Sequence, residues 1–269
     1  MADRSHGSPV RPLALVRRPG PRLDEGLVTH QDRVPIDVDR ALRQWFRYVD
    51  TLRTQGWAIA EVVDADDCPD AVFVEDAVVV FGDLAVVGRP AAPSRRGEIS
   101  GAEAAVRREG LEVVGIVEPG TLDGGDVLKV GEVVYVGVGD RTNANALAQL
   151  ESLLVPRGWV VQAVPIARVR HLKSAVTALP DGTVIGYPDH VDDPGIFDRF
   201  VAMPAPGGAH VVLLGGDRLL IAASAPQSQV LLAEMGYEIV PVEISEFEKL
   251  EGCVTCLSVR IRNRTARGS

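Results

Sequence analysis

The stretch AVVVFGDLAVVG, residues 77–88, consists of two short apolar segments around a Gly-Asp pair. Such a pair between β-branched runs predicts a β-hairpin, because both residues tolerate the backbone conformations that two-residue loops demand. Three further stretches share this design: VLKVGEVVYVGVG (127–139), AVTALPDGTVIGY (175–187) and VVLLGGDRLLIAAS (211–224). The first three turns, counted from Gly82, Gly131 and Asp181, are 49 and 50 residues apart. The spacing indicates an internal repeat.

Helical patterns fall between the hairpins. In residues 37–56 apolar side chains recur at steps of three and four, which is typical of a helix with one buried face. The other helical patterns are 100–110, 142–158, 194–203 and 227–236. Four of the five end in glycine, which readily adopts the left-handed conformation past a helix, and a strand-like segment follows each of these four. About five β-rich units with one helix each predict radial or solenoid stacking, with an open α/β sheet as the alternative.

Composition restricts the class of protein. The 269 residues are 46% hydrophobic and carry a formal charge of −9, so no nucleic-acid footprint is indicated. No apolar run approaches the ~18 residues of a membrane helix, and three cysteines argue against a disulfide framework. We therefore expect one catalytic domain over 1–269 in the cytoplasm, with neither a nucleic-acid nor a membrane partner. Residues 1–12 and 263–269 are predicted to be flexible tails, and the basic segment 260–269 is interpreted as solvated.

Two cysteines near the C-terminal end, Cys253 and Cys256, have C-x-x-C spacing. A redox pair of the thioredoxin type sits at the start of a helix, but an alternating strand pattern, LSVRIR, follows here. A structural zinc site takes four ligands, and the other cysteine, Cys68, lies among aspartates without a nearby histidine. A single nucleophilic thiol and a pair of buried packing residues both stay open.

Acidic residues interrupt two apolar segments. Glu75 and Asp76 fall in the middle of a predicted strand over 69–80, where they would point to opposite faces. Asp123 and Asp126 surround a Gly-Gly pair that lets the backbone approach closely. Buried carboxylates are costly unless they meet a cation, so the two sites together favour a pocket for a strongly basic group such as a guanidinium.

Other polar residues are less specific. His171 precedes an apolar strand, where an isolated histidine is more often a surface or capping residue. Arg95, Arg96 and Arg141 lie in loops before helices. Such arginines can hold a substrate carboxylate through two parallel hydrogen bonds, or can be solvated surface charges.

Six motifs together resemble one known family. PDAVFVED, RPAAPSRRGE, LDGGDVL, VGDRTNAN, HLKS and EGCVTCLSV occur in the order and spacing of the dimethylarginine dimethylaminohydrolases, members of the guanidine-modifying pentein superfamily. The resemblance runs from about residue 13 to residue 262. It implies an α/β fold, a five-bladed propeller of repeated β-rich units closed around a central site. It also implies that the C-terminal segment completes a blade with the N-terminal strand.

The resemblance assigns site residues. Cys256 corresponds to the nucleophile, His171 to the catalytic histidine and Asp123 to the acid that orients it, while Cys253 is a bystander. The implied substrate-binding residues are Glu75 and Asp76 for the guanidinium, Asp70 as a further polar contact, Arg95 and Arg141 at the amino-acid end, Glu251 near the α-amino group, and Leu27 at the tip of a lid within residues 17–30.

The implied reaction is hydrolysis of Nω-methylated arginine, asymmetric dimethylarginine or monomethylarginine, to citrulline and dimethylamine or methylamine. It proceeds through a covalent cysteine thiouronium and needs no metal or organic cofactor. The partner is the small-molecule substrate, with a homodimer as an option.

The alternatives are an arginine or agmatine deiminase, an amidinotransferase, and a non-catalytic thiol- or zinc-binding member of the fold. Deiminases carry a second carboxylate two residues after the histidine, where this chain has Lys173. Amidinotransferases usually have a longer scaffold. The chain also departs from several family members at Leu257, where these have a cysteine adjacent to the nucleophile.

Overall fold

The computed structural model of the protein describes residues 11–262, and its strands form five sheets of three strands each. The strands are β1 (Leu13–Val16), β2 (Ala58–Glu61), β3 (Val78–Phe81), β4 (Leu84–Val87), β5 (Glu112–Gly115), β6 (Val127–Val130), β7 (Val133–Val138), β8 (Val160–Pro165), β9 (Val176–Ala178), β10 (Val184–Gly186), β11 (Phe200–Ala202), β12 (Val211–Gly215), β13 (Arg218–Ala222), β14 (Glu238–Val242) and β15 (Val259–Ile261). The α-helices are α1 (Val38–Thr54), α2 (Ile99–Arg108), α3 (Ala144–Leu154), α4 (Pro226–Glu234) and one short turn, α5 (Ser245–Glu248). The predicted flexible tails lie outside the described residues, apart from positions 11 and 12.

Four sheets follow one plan, in which an antiparallel hairpin is joined to a third strand parallel to the hairpin's second strand. Their strand orders are β3-β4-β5, β6-β7-β8, β9-β10-β11 and β12-β13-β14. All four predicted hairpins are thereby confirmed. Gly82 and Gly131 occupy two of the turns with φ of +62° and +57°, a conformation in which a side chain would be strained.

The fifth sheet joins the two ends of the chain. Strand β15 pairs antiparallel with β1, with Leu13 opposite Ile261, and β1 pairs parallel with β2. The prediction that the C-terminal segment completes a blade with the N-terminal strand is confirmed.

Hydrophobic side chains fill the boundaries between neighbouring sheets. Phe81 on β3 shares one buried cluster with Val127 on β6, and Val78 on β3 shares another with Val259 on β15. The innermost strands β3, β6, β9, β12 and β15 together line a central channel. The predicted five-bladed α/β propeller is confirmed, and every blade directs its innermost strand toward the same axis.

One predicted helix is wrong. Helices α1 to α4 coincide with four of the five predicted segments, with α2 and α4 beginning one residue earlier than predicted. Residues 194–203, however, form only a short 3₁₀ turn, Pro194–Ile196, followed by β11. Phe197 explains the difference, because its ring is buried against Tyr135 at a centroid distance of 5.1 Å. The segment thus buries its apolar residues in an extended conformation, so the unit β9–β11 lacks an α-helix, unlike the predicted one helix per unit.

Candidate active site

The three predicted catalytic residues, and Asp76 of the predicted guanidinium-binding pair, lie in turns that directly precede innermost strands. Asp76 precedes β3, Asp123 precedes β6, His171 precedes β9 and Cys256 precedes β15. Because innermost strands surround one axis, the turns that precede them meet at one end of the channel. The internal repeat of the sequence is therefore also a repeat of functional positions.

The sequence predicted that Glu75 and Asp76 lie in a strand, but this prediction is wrong. They belong to a 3₁₀ turn, Val74–Ala77, and strand β3 begins only at Val78. Both side chains are buried, with 3% of their surface exposed, and each carboxylate reaches a separate cation. A turn allows this, whereas a strand would have sent the two carboxylates to opposite faces of one sheet.

His171 lies between two carboxylates. Its Nε2 is 3.0 Å from Oδ2 of Asp123, and its Nδ1 is 3.7 Å from Oδ1 of Asp76. Burial alone would lower the pKa of His171, but the charges of Asp76, Asp123 and Asp126 outweigh it and raise this pKa to about 9. The imidazole is consequently protonated at neutral pH.

Asp126 supports the histidine from behind. Its Oδ1 accepts a hydrogen bond from the backbone N–H of Leu172 at 2.9 Å, and its Oδ2 accepts one from the hydroxyl of Thr142 at 2.6 Å. Burial raises the pKa of Asp126 to about 7. The carboxyl group thus fixes the turn that carries His171.

The Gly-Gly pair between the two aspartates permits the predicted close approach. A Cβ on Gly124 would lie 2.2 Å from the carbonyl oxygen of Glu75. A Cβ on Gly125 would lie 2.5 Å from Oδ1 of Asp76 and 2.8 Å from Cγ of His171. The bare backbone N–H of Gly125 instead donates to Oδ1 of Asp76 at 3.0 Å, so only glycine fits between these groups.

Arg95 lies behind Asp76. Its Nη1 is 2.6 Å from Oδ2 of Asp76, and its Nε and Nη2 donate to the two carboxylate oxygens of Glu98 at 2.9 and 2.8 Å. Although burial opposes it, the charges of His171 and Arg95 lower the pKa of Asp76. The Arg95 guanidinium is thus engaged by two carboxylates. It does not line the cavity beside Thr29 and His30 that Arg141 lines.

Glu75 is held by two other cations. Its Oε1 lies 2.7 Å from Nζ of Lys173 and also pairs with Nη2 of Arg260. Burial alone would raise the pKa of Glu75, but these two cations lower it. The interpretation of 260–269 as a solvated tail is therefore wrong for residues 260 and 261, because Val259–Ile261 form β15 and Arg260 turns inward to a buried acid.

The two cysteines touch. Their sulfur atoms are 3.2 Å apart, and both side chains are buried. The hydrogen bond to Cys253, burial and the nearby carboxylates of Glu75 and Asp76 raise the pKa of the Cys256 thiol well above its ordinary value. The same hydrogen bond lowers the pKa of the Cys253 thiol, because the two sulfurs share one proton. The bystander is thus in direct contact with the predicted nucleophile.

Three buried polar atoms near this cluster have no hydrogen-bond partner among residues 11–262. They are Oε2 of Glu75, Oδ1 of Asp123 and Nε of Arg170. Two of the three are carboxylate oxygens, and an unpaired buried acceptor is costly. The site therefore offers two free anionic acceptors to a cationic N–H donor.

A loop around Leu27 lies over the site. The N–H of Leu27 donates to both carboxylate oxygens of Asp70 at 3.1 and 3.2 Å, and its carbonyl accepts from Arg170. Glu251, which has a φ of +59°, accepts the N–H of Thr29 at 2.8 Å. Only the second half of the predicted lid segment 17–30 takes part, since Arg17 and Leu23 are fully buried.

An outer cavity of about 440 Å³ adjoins this loop. Arg141 and Arg170 both line it, beside Thr29 and His30 of the loop. Arg170 is buried and lies 2.9 Å from Oε2 of Glu251. Sequence reasoning missed Arg170; its only signal was an arginine directly before His171.

Within the described part of the chain, no group of three or more histidine, cysteine, aspartate or glutamate side chains is arranged to hold a metal ion.

The chain is similar to known proteins over most of its length. The arginine deiminase family model matches residues 36–206. An N(G),N(G)-dimethylarginine dimethylaminohydrolase of Streptomyces coelicolor is 61% identical over 249 residues, covering 93% of this chain and 96% of the relative. The protein of the same name from Pseudomonas aeruginosa is 31% identical, covering 91% and 98%.

Solved structures of dimethylarginine dimethylaminohydrolases are also similar to this chain. A dimethylarginine dimethylaminohydrolase with histidine replaced by glycine, as its adduct with S-methyl-L-thiocitrulline, has a TM-score of 0.87 and 29% identity, covering 94% of this chain and 100% of its own. A cysteine-to-serine variant of the Pseudomonas aeruginosa protein, complexed with citrulline, has a TM-score of 0.86 and 30% identity, covering 93% and 98%.

Proposed function

Because the chain belongs to the arginine deiminase family and, within it, to the dimethylarginine dimethylaminohydrolases, we propose that it hydrolyses Nω-methylated arginine to citrulline. The protein is a hydrolase that acts on the C–N bond of a linear amidine. Asymmetric dimethylarginine releases dimethylamine, and monomethylarginine releases methylamine.

One observation carries this proposal. Two buried carboxylate oxygens, Oε2 of Glu75 and Oδ1 of Asp123, have no hydrogen-bond partner in residues 11–262. The backbone N–H of Glu75 donates to the carbonyl of Cys256 at 3.2 Å, which keeps the two turns together. A guanidinium supplies planar N–H donors and a permanent positive charge, so it satisfies both acceptors beside a thiol.

The first half of the reaction begins with thiol ionisation, in which the Cys256 proton passes to solvent. Carboxylates beside Cys256 disfavour its thiolate, and a bound guanidinium offsets their charge. The Cys256 sulfur then forms a bond to the central guanidinium carbon. Protonated His171 gives its proton to the methylated nitrogen, the C–N bond breaks, and the amine leaves.

The second half consumes water. The departure of the amine leaves a thiouronium on Cys256 and a neutral His171. His171 takes a proton from water while the water oxygen bonds to the same carbon, which gives a tetrahedral adduct with a hydroxyl group. The C–S bond then breaks, the sulfur leaves with the hydroxyl proton as the Cys256 thiol, and citrulline is released with His171 again protonated. Asp123 keeps the imidazole oriented throughout, through its 3.0 Å hydrogen bond to Nε2.

The amino-acid end of the substrate is assigned to the outer cavity. We propose that Arg141 binds the α-carboxylate there and that Glu251 binds the α-amino group. Asp70 holds the backbone of Leu27, and we propose that the Leu27 side chain covers the entrance. Arg95 acts through Asp76 rather than by direct contact with the substrate, since its guanidinium is paired with the carboxylates of Asp76 and Glu98.

Lys173 argues against a deiminase. The lysine places a cation 2.7 Å from Glu75 at the position where deiminases carry a second carboxylate. A second acceptor for an unmethylated guanidinium is therefore replaced by a positive charge.

A citrulline assay tests the function. The purified protein is incubated with asymmetric dimethylarginine, monomethylarginine and arginine, with and without chelator, beside the Cys256→Ser variant. We expect citrulline from the methylated substrates regardless of chelator and none from the variant. Citrulline mainly from arginine would instead indicate a deiminase.

The cellular location and the assembly of the protein are also proposals. No helix in residues 11–262 is long and apolar enough to cross a membrane, and the three cysteines are free. We propose a cytoplasmic location and one catalytic domain over residues 1–269. A homodimer stays a prediction, which light scattering would check.

A further inference from the structure

The central channel is a second cavity, separate from the outer one. Its volume is about 340 Å³, and the innermost strand of every blade contributes to its wall. Glu75 and Lys173 line it, whereas Cys256 and His171 are not among the described residues that do. The Glu75–Lys173 pair therefore lies between the channel and the catalytic thiol.

Cations outnumber acids in the channel wall. The charged lining residues are Lys129, Lys173, Arg260 and Arg262, with Glu75 as the acid. Four positive charges and one negative charge give the lining a formal charge of +3 when all are ionised. The whole chain has the opposite sign, with a formal charge of −9, so the channel is a local concentration of positive charge.

Lys129 and Arg262 are not compensated by an acid. Nζ of Lys129 donates to the carbonyl of Val80 at 2.5 Å, and Nη1 of Arg262 donates to the carbonyl of Leu213 at 2.9 Å. Neither side chain takes part in any ion pair of residues 11–262. Both residues are exposed, and both line the channel.

The titration of both groups reflects this imbalance. Burial and the positive charges of Lys173, Arg260 and Arg262 lower the pKa of Lys129 to about 7. Burial and Arg260 lower the pKa of Arg262 to about 10. A negative ion in the channel would offset these repulsions.

We propose that the central channel binds a small multivalent oxyanion of the phosphate or sulfate class, held by Lys129 and Arg262. An arginine fork matches two oxygens of a tetrahedral oxyanion, and a lysine ammonium supplies a point charge. The cavity holds on the order of ten waters at ~30 Å³ each, so such an ion fits with part of its hydration shell. The same chemistry suits inorganic phosphate and a small phosphate monoester.

Calorimetric titration at constant ionic strength tests the site. Inorganic phosphate, sulfate, a small phosphate monoester and chloride are each titrated into the wild-type protein. We expect the divalent oxyanions to bind and chloride to give no saturable heat; comparing phosphate with the monoester identifies the preferred source. No saturable binding of any oxyanion at millimolar concentration overturns the proposal.

Variants locate the binding. Lys129→Gln and Arg262→Gln should each weaken phosphate binding by about tenfold or more, since each removes a charged donor. Lys129→Arg keeps the charge and should bind within a few-fold of wild type. Arg53→Gln, which removes an exposed charge on α1, is the matched control and should change nothing.

Thermal melting without phosphate is a second readout. If the surplus charge is repulsive, Lys129→Gln should melt at or above the wild-type temperature and should respond less to phosphate. Equal phosphate responses in wild type, Lys129→Gln and Arg262→Gln would contradict the proposed site.

Discussion

The Nε2 of His171 lies 3.0 Å from Oδ2 of Asp123, although 48 residues separate them in the chain. The separation matches the length of one repeat, and each residue occupies the turn before an innermost strand. The fold therefore pairs a histidine and an acid from neighbouring blades by placing equivalent positions of the repeat side by side. This pair is the centre of the proposed proton transfers.

Gly125 should be essential for activity. Gly125→Ala puts a Cβ where Asp76 and His171 meet, at 2.5 and 2.8 Å, so one of them must move. A displacement near 1 Å costs roughly a hundredfold in rate, which steady-state citrulline formation would detect. Gly115→Ala is the control, because a Cβ there meets nothing within 4 Å. Equal activities of the two variants would refute the geometry.

The two cysteines should differ in role. Cys256→Ser should lower kcat by about a thousandfold or more, because the sulfur nucleophile is lost. Cys253→Ser should keep most of the activity, since its sulfur contacts Cys256 at 3.2 Å without taking part in bond formation. Equal losses in both variants, measured by citrulline release, would restore the paired-thiol alternative.

Removing the charge of Asp76 should destabilise the protein. Asp76→Ala leaves part of the buried Arg95 guanidinium unpaired, and breaking a buried ion pair costs about 3–5 kcal/mol. The free energy of unfolding in urea measures this loss. Glu103→Gln breaks an exposed pair with Arg107 and should cost at most about 0.5 kcal/mol. Similar losses in both variants would show that Asp76 is not held as described.

The same Asp76→Ala variant should also bind methylated arginine far more weakly, because a cation loses a buried partner.

Stability should depend on the charge of His171. Its pKa is raised from 6.5 to about 9 in the folded protein, so the stability it contributes is fully present below pH 6.5 and is lost as pH rises through about 9. The melting temperature of wild type should therefore fall more steeply across this window than that of His171→Gln. Parallel curves would contradict the protonated imidazole.

Glu251 should hold the loop over the site. Its carboxylate accepts the N–H groups of Thr29 and His30, so Glu251→Ala should speed their hydrogen exchange by about tenfold or more. Glu234→Ala on the exposed end of α4 is the control. Unchanged exchange at both amides would mean that other contacts close the loop.

Local sequence patterns were sufficient to predict the repeat and its hairpins. Gly82 and Gly131 mark turns whose geometry depends on neighbouring residues, so their signals are readable in the chain itself. The Gly-Gly pair was equally informative, since close approach requires glycine whatever its distant partner. The closing blade, β15 beside β1, came from the family resemblance rather than from local pattern.

Long-range contacts explain what the sequence did not show. Arg260 pairs with Glu75 across 185 residues, and nothing near position 260 indicates that its side chain turns inward. Arg170 and Glu251 likewise meet only in the folded protein. The turn at Glu75 and Asp76 was misread as a strand because its flanking residues are apolar, while Lys173 and Arg260, the cations that Glu75 meets, lie in other blades.

The most direct test is to trap the covalent intermediate. The protein is mixed with asymmetric dimethylarginine, quenched with acid during turnover, digested and fragmented by mass spectrometry. We expect a substrate-derived mass on Cys256, absent from Cys253 and from the Cys256→Ser variant. Turnover to citrulline without any adduct on Cys256, or an adduct on Cys253 instead, would contradict it.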